Sequence, residues 1–191
     1  MTFRTEFKVG LLVLIFFGPV LLAMVWYYGF PQTIPSSRTN RGELLNPVRP
    51  LPAVKLRSTQ GGPVDEQIFI GQWTLLTVAE RCGDACQQRL RKTRKVRALL
   101  HDDVGRVQRV LVSGEAGDQR FVQNGHPDLK VFLGGDRLRQ FFGKAGADAV
   151  GPGVVYFIDP HGNWVLYYPA DQRADAILDD VKHLLRLSHI G

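Results

Sequence analysis

The chain has 191 residues, a formal net charge of +6 and only two cysteines, a length that suggests one domain with an appendage. Much of the positive excess lies in Arg89, Arg91, Lys92, Arg94, Lys95 and Arg97, with no aromatic residues interleaved for base stacking, which removes support for nucleic-acid binding. No Ser/His/Asp arrangement at recognisable spacing, glycine-rich phosphate loop or H-E-x-x-H zinc motif is present, which excludes the chemistries those patterns carry.

From Val9 to Phe30 no residue is charged, and most are Leu, Val, Ile, Phe, Met or Ala. The run exceeds the ~20 residues a helix needs to cross a bilayer. Trp26, Tyr27 and Tyr28 close it in the manner of an interfacial aromatic belt. Gly18-Pro19 falls near its middle, a kink that membrane helices tolerate. A cleaved signal peptide is the competing reading, but its apolar region is roughly 7–15 residues long and ends in small residues. The bulky Trp26-Tyr27-Tyr28-Gly29-Phe30 end favours an uncleaved anchor. Arg4 and Lys8 on one side nearly balance Arg38, Arg41 and Arg49 on the other. The short N-terminal flank favours residues 1–8 in the cytoplasm and a transmembrane helix over 9–30. The expected location is then the inner (cell) membrane, single-pass, with the C-terminal domain in the periplasm, where thiols meet oxidising conditions.

Residues 31–52 contain Pro31, Pro35, Pro47, Pro50 and Pro52 with few apolar positions, and read as an extended spacer. The domain is expected over 53–191. Val54-Lys55-Leu56-Arg57 alternates as a half-buried strand before a Gly61-Gly62 turn. Trp73–Ala79 is nearly continuously apolar, as in a strand covered on both faces. A helical pattern starts at Asp84, with Leu90, Val96, Leu99 and Leu100 as its apolar positions. Val107, Val110, Leu111 and Val112 mark another buried strand, and Leu129, Val131, Phe132 and Leu133 a short apolar segment. Gly134-Gly135 precedes a short helix carrying Leu138, Phe141 and Phe142. Val154–Ile158 and Trp164–Tyr168 flank the turn Asp159-Pro160-His161-Gly162-Asn163 as a hairpin. Asp171–Leu187 closes the chain as an amphipathic helix. The order β, β, α, β, α, β, β, α predicts an α/β fold, a central mixed sheet with helices on both faces.

The cysteines, Cys82 and Cys86, stand at the strand-to-helix junction. Positions i and i+4 of a helix share one face, with Cα atoms ~6 Å apart, near the upper part of the disulfide range. If Cys82 precedes the helix, the geometry relaxes. A helix N-terminus stabilises a thiolate; Arg81 and Arg89 act the same way, and Glu80 and Asp84 oppose them. Three roles stay open: a redox-active dithiol, a site for soft Cu(I), whose polarizability suits two thiolates, and a stapling disulfide or inert buried thiols. The basic stretch reads as a solvated helix face or as a contact for anionic headgroups or an acidic partner.

In that order, with cysteines after the covered strand, the elements resemble a thioredoxin-like domain, and more closely the Sco/SenC branch. Gly71-Gln72-Trp73-Thr74-Leu75-Leu76 looks like that family's Gly-Lys-Trp segment before the central strand. Cys82-Gly83-Asp84-Ala85-Cys86 has its C-x-x-x-C spacing, and Tyr156-Phe157-Ile158-Asp159-Pro160-His161-Gly162 is similar to its Y-L-I-D-P-x-G turn. The resemblance implies a membrane-anchored protein assisting cytochrome c oxidase assembly. Its partner would be the oxidase's copper-binding subunit or other assembly factors. Cys82 and Cys86 would act as copper (Cu(I)) ligands, or as a thiol–disulfide oxidoreductase pair in which Cys82 attacks and Cys86 resolves.

The sequence departs from that pattern. Gly151 occupies the position of the family's third copper ligand, a histidine eight residues before the hairpin aspartate. The proline usual within or just after the cysteine motif is also absent from Gly83-Asp84-Ala85 and Gln87. His126 and His161 are the candidate substitutes for the missing ligand, and Pro152 is the candidate for the cis-proline opposite the cysteines. The alternative reading is a non-catalytic accessory subunit or assembly factor that uses a degenerate thioredoxin-like domain for docking.

Overall fold

The structure is a computed structural model and describes residues 3–29, 40–115, 125–144, 146, 149, 151, 153–188 and 190. The chain divides into two units, Met1–Arg38 and Thr39–Gly191. In the first, helix α1 (Phe3–Gly29) runs through Pro19. Its Gly10–Gly29 segment is long and apolar enough to cross a membrane, and none of it is buried against protein. A helix apolar on all sides with no protein cover is suited to lipid.

The second unit is built on an eight-stranded mixed sheet in the order β1-β8-β7-β4-β5-β6-β2-β3. The strands are β1 Glu43–Pro50, β2 Leu56–Ser58, β3 Pro63–Val64, β4 Trp73–Ala79, β5 Val107–Ser113, β6 Leu129–Leu133, β7 Val155–Ile158 and β8 Asn163–Tyr168. The helices are α2 (Asp84–Ala98), α3 (Asp136–Gly143) and α4 (Ala174–Leu187). β4 runs parallel to β5 and antiparallel to β7, and every residue of β4 and β5 is buried. That accounts for the unbroken apolar run in β4, because a strand covered on both faces has no polar side to show.

Successive β4 side chains feed opposite layers. Leu76 and Val78 pack with Leu138 and Phe142 of α3. Trp73 and Leu75 pack with Val96 of α2 and Ile177, Val181 and Leu185 of α4. Helices therefore cover both faces, and the fold is the α/β arrangement expected, with a thioredoxin-like mixed sheet. The hairpin β7–β8 forms where its turn residues place it. Asp159 accepts from the backbone N–H of His161 and Asn163 at 2.9 and 2.8 Å.

Within the stretch expected to be a spacer over 31–52, Glu43–Pro50 is a strand, pairing Glu43 with Tyr167 and Arg49 with Trp164. Nearly all of its side chains are exposed, so it carries no apolar alternation for the sequence to reveal. Its cohesion comes from the ladder and from a buried carboxylate. Asp180 of α4 accepts from the N–H of Arg41 (2.8 Å) and of Gly42 (2.7 Å). Gly42 lies so close to Tyr168 that a Cβ there would meet the ring at 2.6 Å. Replacing Asp180 by Ala leaves those amides without their charged acceptor and is expected to cost about 2–3 kcal/mol, read as a lowered urea midpoint of tryptophan fluorescence.

Candidate functional site

β4 ends at Ala79, and the chain passes through Cys82 and Gly83 into α2. Cys82 precedes the helix and Cys86 lies in its first turn. The two are joined in a disulfide with Cα atoms 5.1 Å apart. Both are buried, 4 % and 2 % exposed, in a small apolar cluster with Ala79, Leu90, Leu111, Leu129 and Val131. The pair therefore sits under α2 against the sheet, not on an open rim.

The cations expected to activate the thiols are occupied elsewhere. Arg81 pairs with Glu115 at 2.7 Å. Arg89 is buried, and its guanidinium donates to the carbonyls of Pro169 (3.1 Å) and Ala170 (2.7 Å), fastening α2 to the turn before α4. Gly153, at φ +109°, leaves the space this guanidinium fills, since a Cβ there would lie 2.9 Å from Arg89 Nη2. The first turn of α2, which holds Cys86, presents the positive end of the helix there.

The basic stretch is not one solvated face. Arg97 donates to the Val107 carbonyl at 2.7 Å and Lys92 to that of Gln172 at 3.0 Å. Arg94 bonds the Gly125 carbonyl, leaving Arg91 and Lys95 outward.

Strand direction locates the remaining candidates. β7 is antiparallel to β4, with Leu76 opposite Tyr156 and Thr74 opposite Ile158. Residues before β7 thus lie at the β4 end that leads to the cysteines, and residues after it at the far end. Gly151 lines a cleft of about 320 Å³ with Val78, Ala79, Glu80, Arg81, Arg139 and Tyr156. The site position anticipated for the missing ligand is therefore beside the cysteine loop, but it holds glycine, with open space where a Cβ would go. Tyr156 donates to the Ala149 carbonyl at 2.7 Å, and burial pushes its phenol well above the ordinary value, so it remains a donor.

His161 bridges to Ile70 just before β4, about 20 Å from the cysteine end of the seven-residue strand by strand rise. It does not replace the ligand. His126 precedes β6 and sits among Arg109, Arg94, Arg91 and Asp128. Pro152 lies outside the described residues. Among the described residues no group of three His, Cys, Asp or Glu side chains could hold a metal ion, so the donors present do not make a three-ligand copper site.

One structural residue of the site escaped the sequence reading. Arg109 is fully buried in the middle of β5. It donates to Thr93 Oγ1 (3.1 Å) and the Leu90 carbonyl (2.6 Å) of α2, and pairs with Asp128 at 3.0 Å. Burial raises the Asp128 carboxyl, but the charge and hydrogen bond of Arg109, a backbone N–H and the Arg97 charge together outweigh it and leave the carboxyl below its ordinary value. An arginine inside an apolar strand was the available signal, because a buried charge needs a partner.

The chain belongs to a family of thioredoxin-like proteins: the model of the transmembrane-like, thioredoxin-like, C-terminal domain matches residues 73–188. The solved structures it resembles include Sco1/SenC proteins. Apo Sco1 from Thermus thermophilus aligns with TM-score 0.60 and 24 % identity over 78 % of this chain and 99 % of its own. ScoI from Arabidopsis thaliana, solved with copper bound, aligns with TM-score 0.56 and 20 % identity over 72 % and 98 %. BsSco, described as a member of the Sco family of cytochrome c oxidase assembly proteins with a disulfide switch, gives 0.57 and 15 % over 77 % and 98 %. At these identities the likeness is one of fold. No curated protein matches this sequence.

Burial first, then Arg109 and Arg94, hold the His126 imidazole below its ordinary pKa, against the opposing pull of Asp128. The native state thus favours the neutral ring. Its contribution is complete above pH ~6.5, the unfolded value, and is lost as pH falls toward the depressed native value. Urea unfolding between pH 8 and 5 is expected to show this loss, and His126→Gln to flatten it.

Proposed function

We propose that this chain is an inner-membrane protein whose α1 helix anchors a periplasmic thioredoxin-like domain, and that it assists cytochrome c oxidase assembly by thiol–disulfide exchange at Cys82 and Cys86. The observation that carries this reading is the Cys82–Cys86 disulfide at the strand-to-helix junction. The Sco-type fold supports it. Partners would be the oxidase's copper-binding subunit or another assembly factor bearing a cysteine pair.

In the reduced chain the Cys82 thiolate attacks a partner disulfide, and one partner sulfur leaves as thiolate. Cys86 then attacks the Cys82 sulfur of the mixed disulfide and expels the second partner thiolate. The partner gains two electrons, and this chain ends as the disulfide seen in the structure, to be re-reduced by an upstream dithiol. Burial of both sulfurs requires the segment between β4 and α2 to open for the attack. The first turn of α2 stabilises the thiolate form of Cys86, which lies within it.

Two outcomes separate this from a docking role, which the burial of the pair favours. The Cys86→Ser variant is expected to accumulate a mixed disulfide through Cys82, visible as a reductant-sensitive adduct on gels. The Cys82→Ser, Cys86→Ser double variant is expected to lose oxidase assembly at low copper. Full assembly with the double variant would leave docking as the function. Loss of the short closed loop costs about 2 kcal/mol by chain entropy, so unfolding curves are recorded alongside to separate lost chemistry from lost stability.

Copper as transferred cargo is the second reading, with two thiolates suited to Cu(I). The cleft beside the cysteine loop has room at Gly151. Gly151→His is expected to convert a chain with weak Cu(II) binding into one that binds at least about tenfold more tightly, since imidazole supplies a ligand that Cu(II) favours. The measurement is titration of the reduced full chain, followed by its thiolate–copper absorption. Equal binding by the two chains would refute a role for position 151.

A further inference from the structure

Three cations of α2 meet the start of α4 in a cleft of about 490 Å³, lined by Arg91, Lys92, Lys95, Arg173, Ala174 and Asp175. Four of these are cationic and one is acidic, and the acid is already engaged: Arg173 Nη2 donates to Asp175 Oδ2 at 2.8 Å. Asp171 acts on Arg89 and Lys92 from the same turn. Lys92 is turned inward to the Ala170 and Gln172 carbonyls. Arg91 and Lys95 are exposed, one turn apart on α2, and engage no carboxylate among the described residues. The groove therefore keeps unbalanced positive charge on a frame that Arg89 and Lys92 fix by tying α2 to the turn before α4.

We infer that this groove docks the domain on the bilayer surface by binding the phosphate headgroups of anionic phospholipids. Charge complementarity selects anions, and the cleft is open enough to admit a headgroup. The choice of lipid rests on the reading of α1 as a membrane anchor. Residues 30–39 separate α1 from the domain in sequence. Because the anchor and the groove belong to one chain, weak contacts with headgroups act at raised effective concentration. Each cation near an anionic surface adds to the attraction, which falls off within a Debye length.

The test uses the full chain in nanodiscs of phosphatidylcholine alone or with phosphatidylglycerol. An amine-reactive reagent labels the lysines, and mass spectrometry reads the rate at Lys95 against Lys182 of α4. Lys95 is expected to label about fivefold more slowly in the anionic discs, with Lys182 changed less. The protection should disappear in high salt and in Arg91→Glu. Equal Lys95 rates in both discs would overturn the proposal. So would protection in neutral discs by added oligoglutamate with none from phosphatidylglycerol, which would assign the groove to an acidic peptide. Failure of the chain to co-migrate with neutral discs would instead refute the anchor, a separable result.

Discussion

The complete burial of β4 is the constraint on which the rest of the domain depends. A strand apolar on both faces must be covered twice, so α3 must lie on one side and α2 with α4 on the other. Its parallel partner β5 requires a crossover connection, and α2 is that crossover. Both cysteines lie near the start of that crossover, Cys82 between β4 and α2 and Cys86 in the first turn of α2. Their position at the end of the central strand, and their burial under α2, follow from how the sheet is covered.

Polar interactions then hold α2 in place where apolar packing cannot. Arg109 reaches up from β5 to α2, Arg89 and Lys92 reach from α2 to the turn before α4, and Arg97 reaches to the start of β5. Much of the basic stretch is thus internal bracing. The same residues that position the helix over the disulfide direct their hydrogen bonds to backbone carbonyls elsewhere. The glycine at 151 leaves the space beside the cysteine loop without a third side-chain donor.

Local patterns in the chain exposed several elements directly. The continuous run Trp73–Ala79, the Asp159–Asn163 turn and the amphipathic α4 each carry a periodicity or turn chemistry that needs no tertiary context. β1 was illegible because its side chains face water and its prolines look like those of a spacer; the hydrogen bonds to β8 and the Asp180 carboxylate make it a strand. Arg109 was passed over because one charged residue does not disturb an apolar strand pattern. The partners of Arg81 and Arg89, Glu115 and the Pro169 and Ala170 carbonyls, were also hidden, because sequence adjacency does not say which carbonyl or carboxylate a long side chain will reach.

By itself the sequence determined the apolar N-terminal helix, the α/β class and the cysteine pair at a strand-to-helix junction, because each rests on local spacing and hydrophobic pattern. Only the tertiary structure decided that Gly151 borders the cysteine loop while His161 lies at the opposite end of the sheet. That outcome depends on β7 running antiparallel to β4, a pairing of positions 80 to 84 apart. It also decided that both sulfurs are buried, since their cover comes from the sheet and from α2 folding back across it.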